Sequence, residues 1–167
     1  KGFYGTDAGS SATRGIISAG NGNINNISYV TFESAGNAQD FGDLNFTSGS
    51  ASGAKYPTSA GNSTRGLLTA TTSNYIQYIT IATTGNALDF GALTVNRVSG
   101  AKFSSSTRSV FGGGAFAVIE NVIDYVTTAS TGNATDFGDL TVATYTSAGA
   151  GSSTRGLFAG GYTTTWT

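Results

Sequence analysis

Tyr125-Val-Thr-Thr-Ala-Ser-Thr-Gly-Asn-Ala-Thr-Asp-Phe-Gly-Asp-Leu-Thr141 decides the reading of this chain, because the phrase occurs three times. Its relatives are Tyr29-Val-Thr-Phe-Glu-Ser-Ala-Gly-Asn-Ala-Gln-Asp-Phe-Gly-Asp-Leu-Asn45 and Tyr78-Ile-Thr-Ile-Ala-Thr-Thr-Gly-Asn-Ala-Leu-Asp-Phe-Gly-Ala-Leu-Thr94. The leading tyrosines are 49 and 47 residues apart, and so are the triplets that begin at Asp40, Asp89 and Asp136. Self-similarity at a fixed period is the mark of a repeat architecture. Each copy reads as β. Ile27, Tyr29 and Thr31 alternate with Ser28 and Val30, and Ile123, Tyr125 and Thr127 repeat the pattern, which suits a strand with two unlike faces. Gly-Asn punctuates each copy where a turn needs a positive φ.

A second phrase lies between these copies. Thr-Arg-Gly or Thr-Arg-Ser, followed by apolar residues, starts at Thr13, Thr64, Thr107 and Thr154. Its arginines are 51, 43 and 47 residues apart. The distance from Asp40 to Arg65 is 25 residues, against 19 from Asp89 to Arg108 and from Asp136 to Arg155. A six-residue insertion is therefore expected in the Gly/Ser-rich stretch Ser48–Asn62, which also holds the one proline, Pro57; an exposed loop absorbs such a change easily. The apolar run after each arginine, closed by glycines, suits a strand flanked on both sides. No segment keeps a helical period. The pattern predicts an all-β repeat protein, β-propeller-like, with blades of about 47 residues and three or four short strands in each. Four Thr-Arg phrases against three Tyr phrases predict three whole units and two halves: a half unit over 1–20, units over about 21–70, 71–114 and 115–161, and a half unit over 162–167. Trp166 falls near the place of an anchor tyrosine.

Composition excludes more than it permits. The chain has 167 residues, enough for one domain with a core. Charged residues make up 10%, 8 basic against 9 acidic, for a net charge of −1. That balance is too neutral for a partner held by phosphate neutralisation or for a polybasic membrane surface, so neither nucleic acid nor membrane insertion is expected. No apolar run reaches the roughly 18 residues of a membrane span. There is no histidine, cysteine or methionine. Histidine is the usual general base near neutral pH and cysteine the thiol nucleophile, so the composition argues against an enzyme. A chain that opens at Lys1 without methionine reads as a processed product or a segment of a longer one.

The phrases Asp124-Tyr-Val-Thr127, Thr131-Gly-Asn-Ala-Thr-Asp-Phe-Gly-Asp-Leu-Thr141 and Ser153-Thr-Arg-Gly-Leu-Phe-Ala-Gly-Gly161 resemble a repeat of virion structural and tail-fibre-like proteins of marine bacteriophages. That repeat looks Kelch-like, with di-glycine closing an apolar strand; here the glycines stand at Gly112-Gly113-Gly114 and Gly160-Gly161. The resemblance implies a non-enzymatic structural or adhesion module of a phage particle, on a fibre or appendage. Such a module is virion-borne or extracellular, associates with copies of itself or with other virion proteins, and contacts host-surface glycans. A free carbohydrate-binding propeller lectin is the alternative.

Two sets of charged residues recur. Arg14, Arg65, Arg108 and Arg155 hold one repeat position, and Asp40, Asp89 and Asp136 another. A junction is needed in every unit and a ligand site is not, so the arginines are expected to bridge units, to an Asp or to turn carbonyls, rather than to form an anion ring. Asp40/Asp43 and Asp136/Asp139, with Asn37 or Asn133, offer oxygens to Ca²⁺. The middle copy, however, carries Ala92 at the second position, so turn capping is the expected role and no cofactor is required. Phe41, Phe90 and Phe137 are expected in the core. Tyr56, Tyr75, Phe103, Phe116 and Tyr145 fall outside the repeated pattern and are the candidate ligand contacts, expected in variable loops. Three and a half units also predict an unpaired edge, closed by a second copy, a longer polypeptide or a particle.

Overall fold

A computed structural model describes residues 8–18, 24–48, 58–69, 73–145 and 147–163. Among them the chain is all-β, with no helix. The first sheet comprises β1 (Ala8–Ser10), β2 (Arg14–Ser18), β3 (Ile24–Thr31) and β4 (Gln39–Ser48). The second comprises β5 (Thr58–Gly61), β6 (Arg65–Thr69), β7 (Tyr75–Thr80) and β8 (Leu88–Ala92). The third holds β9 (Ala101–Ser104), β10 (Arg108–Gly112), β11 (Val122–Thr127) and β12 (Thr135–Asp139), and β13 (Ala148–Gly151) pairs with β14 (Gly156–Ala159). Every pairing is antiparallel and joins strands in chain order. Tyr29, Tyr78 and Tyr125 sit on the third strand of their sheets, as their equivalence in sequence predicts.

The second strands of the second and third sheets are covered on both faces, and their sequence shows it. Leu67 and Leu68 are both buried, as are Val110 and Phe111, because one face meets the sheet before and the other the sheet after. The Asp-Phe-Gly triplet forms a β-bulge. Ile27 pairs with Gly42 while Ser28 pairs with Asp40, so Phe41 is the extra residue; Phe90 and Phe137 are extra in the same way. A bulge needs one residue off the ladder, and the glycine after it takes a positive φ of 142° at Gly42, 149° at Gly91 and 132° at Gly138. Each phenylalanine ring meets the tyrosine of the third strand edge-on, at 6.0, 5.9 and 5.9 Å between centroids.

The core lies between sheets. Ile16, Ile27, Phe41 and Leu44 of the first pack against Leu68, Ile79, Ile81 and Ala87 of the second. Leu67, Ile76, Phe90 and Leu93 then pack against Phe111 and Val126 of the third. Each large side chain so buried contributes about 1.5–3 kcal/mol. The first strands run beside one another from β1 to β13.

Three expectations change. The sheets are phased differently from the sequence units: Arg14 lies on β2, which pairs with the Tyr29 strand after it in the chain. The described part of 1–20 thus opens the first sheet rather than ending an earlier one. A periodic text has no inherent starting point, and the short turn after β1 decides the phase. The stretch expected to be an inserted loop is partly strand, since Ser48 closes β4 and Thr58–Gly61 form β5; Pro57 lies outside the described residues. Tyr162, read as the start of a new half unit, makes an antiparallel bridge back to Tyr145. Trp166 lies outside the described residues.

Candidate functional site

The residues that recur in every unit converge where one sheet meets the next. The bulge turns the carbonyl of Phe41 away from its own ladder, and the N–H of Gly85 donates to it at 2.7 Å. Two residues on, the N–H of Ala87 donates to Asp43 O at 2.8 Å, and the N–H of Asp43 donates to Asn86 Oδ1 at 3.0 Å. The second junction repeats this. Gly132 N–H donates to Phe90 O at 2.7 Å and Ala134 N–H to Ala92 O at 2.8 Å, while Ala92 N–H donates to Asn133 Oδ1 at 3.2 Å. Only the backbone of Asp43 is used, which explains why alanine serves at position 92. The approach is close. A Cβ on Gly42 would stand 2.4 Å from Gly85 O, and one on Gly91 would stand 2.3 Å from Gly132 O, so each glycine is required twice, for its φ and for its neighbour.

The arginines complete the junction. Arg14 Nη1 donates to Ile81 O at 3.1 Å and to Ala82 O at 2.9 Å; Arg65 Nη1 donates to Thr128 O at 3.2 Å. Each guanidinium also lies over the tyrosine of its own sheet, 4.7 Å from the Tyr29 centroid and 4.6 Å from Tyr78, a cation–π arrangement that holds the fork in place. The junction therefore takes turn carbonyls, one of the two partners expected, in the next sheet. Arg108 lies 4.5 Å over Tyr125 in the same way. Arg155 is exposed.

A feature that the repeats do not predict lies on the third sheet. Position 28 is serine and position 77 glutamine, whose Oε1 accepts from Asn45 N–H at 2.9 Å. The equivalent Asp124 is fully buried. Its carboxylate accepts from Thr94 N–H at 3.2 Å and from the Thr94 hydroxyl, and it is ion-paired with buried Arg97. Arg97 also donates to Gly113 O at 3.1 Å and Val122 O at 2.6 Å. Burial lowers the pKa of Arg97 from its ordinary value, and the charge of Asp124 opposes that shift. Two signals were available in the sequence: Arg97 is the one arginine outside a Thr-Arg phrase, and Asp124 interrupts an otherwise apolar strand.

Of the carboxylates considered for Ca²⁺, Asp40, Asp136 and Asp139 are exposed and Asp43 is half-buried, while Asp89, at the place of Asp40, is exposed too; Asp136 Oδ1 accepts from Gly138 N–H at 3.0 Å. Among the described residues no three carboxylates converge. The five aromatic candidates are not brought together. Tyr56 lies outside the described residues. Tyr75 opens β7 and Phe103 lies within β9, on strands rather than loops; Phe103 packs on Phe158 at 5.0 Å. Phe116 is exposed in the loop before β11, and Tyr145 meets Tyr162 at 5.1 Å. A polar cavity of about 610 Å³ opens instead beside the turns after the first strands, lined by Ser10, Asn62, Ser63, Ser105 and Ser106 among others. Comparison with known protein families finds no matching model, and comparison with curated proteins finds no match.

Proposed function

We propose that this chain is a non-enzymatic structural and adhesion module of a phage particle, a propeller-like array on a fibre or appendage that meets host-surface glycans. One observation carries the structural half of the reading. The residues written into every unit, the arginine, the Gly-Asn turn and the Asp-Phe-Gly bulge, are engaged in joining successive sheets. Four-stranded sheets in chain order, with first strands side by side, support the propeller-like reading, since a propeller is built from four-stranded sheets set around an axis. The phage setting is supported by the resemblance of the repeat phrases. The free lectin is favoured by the hydroxyl- and amide-lined cavity beside Ser10 and Asn62, since sugar hydroxyls need such partners in number.

Mass spectrometry of purified virus particles separates the two readings. Peptides of this chain should co-purify with intact virions at a stoichiometry fixed from one preparation to the next. Their confinement to the unattached fraction, with glycan binding lost on Asn62→Ala, would replace the virion module by the lectin.

A further inference from the structure

The turns after the first strands are closed by the same side chain, with one exception. Ser11, Ser105 and Ser152 each accept, through Oγ, from the N–H of the arginine three residues on, at 3.1, 3.0 and 3.1 Å. Asn62 holds that place in the second sheet. Its Oδ1 accepts from the N–H of Thr64 and of Arg65, each at 3.0 Å, and its Nδ2 reaches across to donate to Ser106 O at 3.0 Å. Beside it, Gly61 N–H donates to Ser104 Oγ at 2.8 Å. These two bonds clamp the second turn to the third. Among the described residues no hydrogen bond ties the first turn, at Ser11–Thr13, to the second. The cavity of about 610 Å³ opens between that first turn and the clamped pair, and its size falls within the range of small-ligand sites, about 300–1,000 Å³. Each sheet gives its wall one exposed hydroxyl that makes no hydrogen bond among the described residues, Ser10, Ser63 and Ser106. Phe103, half-buried, adds an aromatic ring. Arg65 is the one charged residue among those that line it, and its guanidinium is held over Tyr78 and to Thr128 O, neither of which lines the cavity.

We infer that this cavity is a binding site for a short uncharged glycan, made once among the described sheets rather than once in each unit. An acidic sugar would bring its carboxylate to a wall whose one cation is engaged elsewhere. A metal ion would find no carboxylate among the lining residues. Either would give up water without a charged partner. A wholly apolar ligand would strip water from the three hydroxyls and return no hydrogen bond. A neutral sugar does neither. Its hydroxyls donate and accept in number, as those of serine do, and its C–H face has the Phe103 ring to lie against. The clamp makes the site single, because it needs an amide at position 62 and a hydroxyl at position 104. The other turns carry serine at the place of Asn62, and the last sheet carries Gly151 at the place of Ser104. The inference rests on the reading that this chain meets glycans, and adds which glycans and where.

Lactose, maltose and mannobiose, titrated separately into the full chain and followed by amide shifts in the nuclear magnetic resonance spectrum, test it. At least one should saturate, moving the amides of Asn62–Thr64 and Ser104–Ser106 and leaving those of Ser152–Thr154 in place. Digalacturonate, the acidic counterpart, should move none of them. Ser63→Ala combined with Ser106→Ala should weaken the bound disaccharide at least roughly tenfold. The melting temperature of that variant should not change, because neither hydroxyl holds a bond within the described residues. Ser153→Ala, at the same place in the turn between β13 and β14, should leave the affinity as it is. Undiminished binding by the double variant would overturn the inference and leave the glycan reading standing with a different site. Digalacturonate bound as tightly as the neutral sugars would overturn it and leave that reading with a different ligand. No saturation by any of the four sugars at about 100 mM would overturn both.

Discussion

Phe90 and Phe137 stand at the same place in the same phrase and have opposite surroundings. Both are the extra residue of a bulge, both precede a glycine of positive φ, and both meet their tyrosine edge-on at 5.9 Å. One is 2% exposed and the other 57%. The bulge, the glycine conformation and the ring pair therefore belong to the single sheet, because they persist at Phe137, where no Gly-Asn-Ala turn of a next sheet lies among the described residues. Burial belongs to the junction. A repeat of this kind separates what forms a unit from what joins units, and the stability of the array is the sum of both.

The sharpest way to break this comparison is to remove each ring. Phe90→Ala should cost about 3–5 kcal/mol, the usual result of emptying a buried aromatic site. Phe137→Ala should cost about 1 kcal/mol or less, the share owed to its contact with Tyr125. Urea denaturation of the two variants reads the difference. Equal losses would mean that Phe137 is covered in solution.

Positions 77 and 124 offer the next test, between a neutral and a charged group at one place in the repeat. Asp124→Ala leaves the Arg97 guanidinium buried without its carboxylate and should cost about 3 kcal/mol. Gln77→Ala removes one neutral acceptor from Asn45 N–H and should cost about 1–2 kcal/mol. Replacing both charged partners, Arg97→Met with Asp124→Leu, should recover most of the loss, since a buried pair is often matched by apolar residues of similar volume. No recovery in the double variant would show that the hydrogen bonds to Gly113 O and Val122 O matter more than the charge.

The fold was legible where side chains alternate and where phrases repeat. The strands at Tyr29, Tyr78 and Tyr125, the doubly buried runs after Arg65 and Arg108 and the core roles of Phe41 and Phe90 follow from period and composition. The first strands did not show themselves. Thr58-Ser-Ala-Gly61 and Ala148-Gly-Ala-Gly151 have no large apolar residue and no alternation, because first strands crowd one another: a Cβ on Gly149 would lie 2.4 Å from Lys102 O. Without those strands the sheets could not be phased, and the units read from sequence straddle two sheets. The junction was half legible. Recurrence marked its arginines, but their carbonyl partners and the Gly-to-Phe backbone bonds carry no side-chain signature. The exposure of Phe137 is decided by whether another sheet packs over it, and its own phrase, shared with buried Phe41 and Phe90, holds no trace of that neighbour.

The smallest expected effect sets Arg65 against Arg108. Each guanidinium covers a tyrosine at nearly the same distance, 4.6 and 4.5 Å. Arg65 is partly buried and also donates to Thr128 O across the second junction, whereas Arg108 is exposed on the open face. Substituting alanine removes the cation–π contact from both, worth about 0.5–1 kcal/mol at such sites. At Arg65 it also removes a charge-assisted hydrogen bond to a carbonyl, which raises the loss to about 2 kcal/mol. Arg108→Ala should therefore lower the melting temperature less than Arg65→Ala, and the gap between them measures the junction bond alone. If Arg108→Ala destabilises the chain as much as Arg65→Ala does, the face that Arg108 borders is covered in solution, and the contrast between the two arginines disappears.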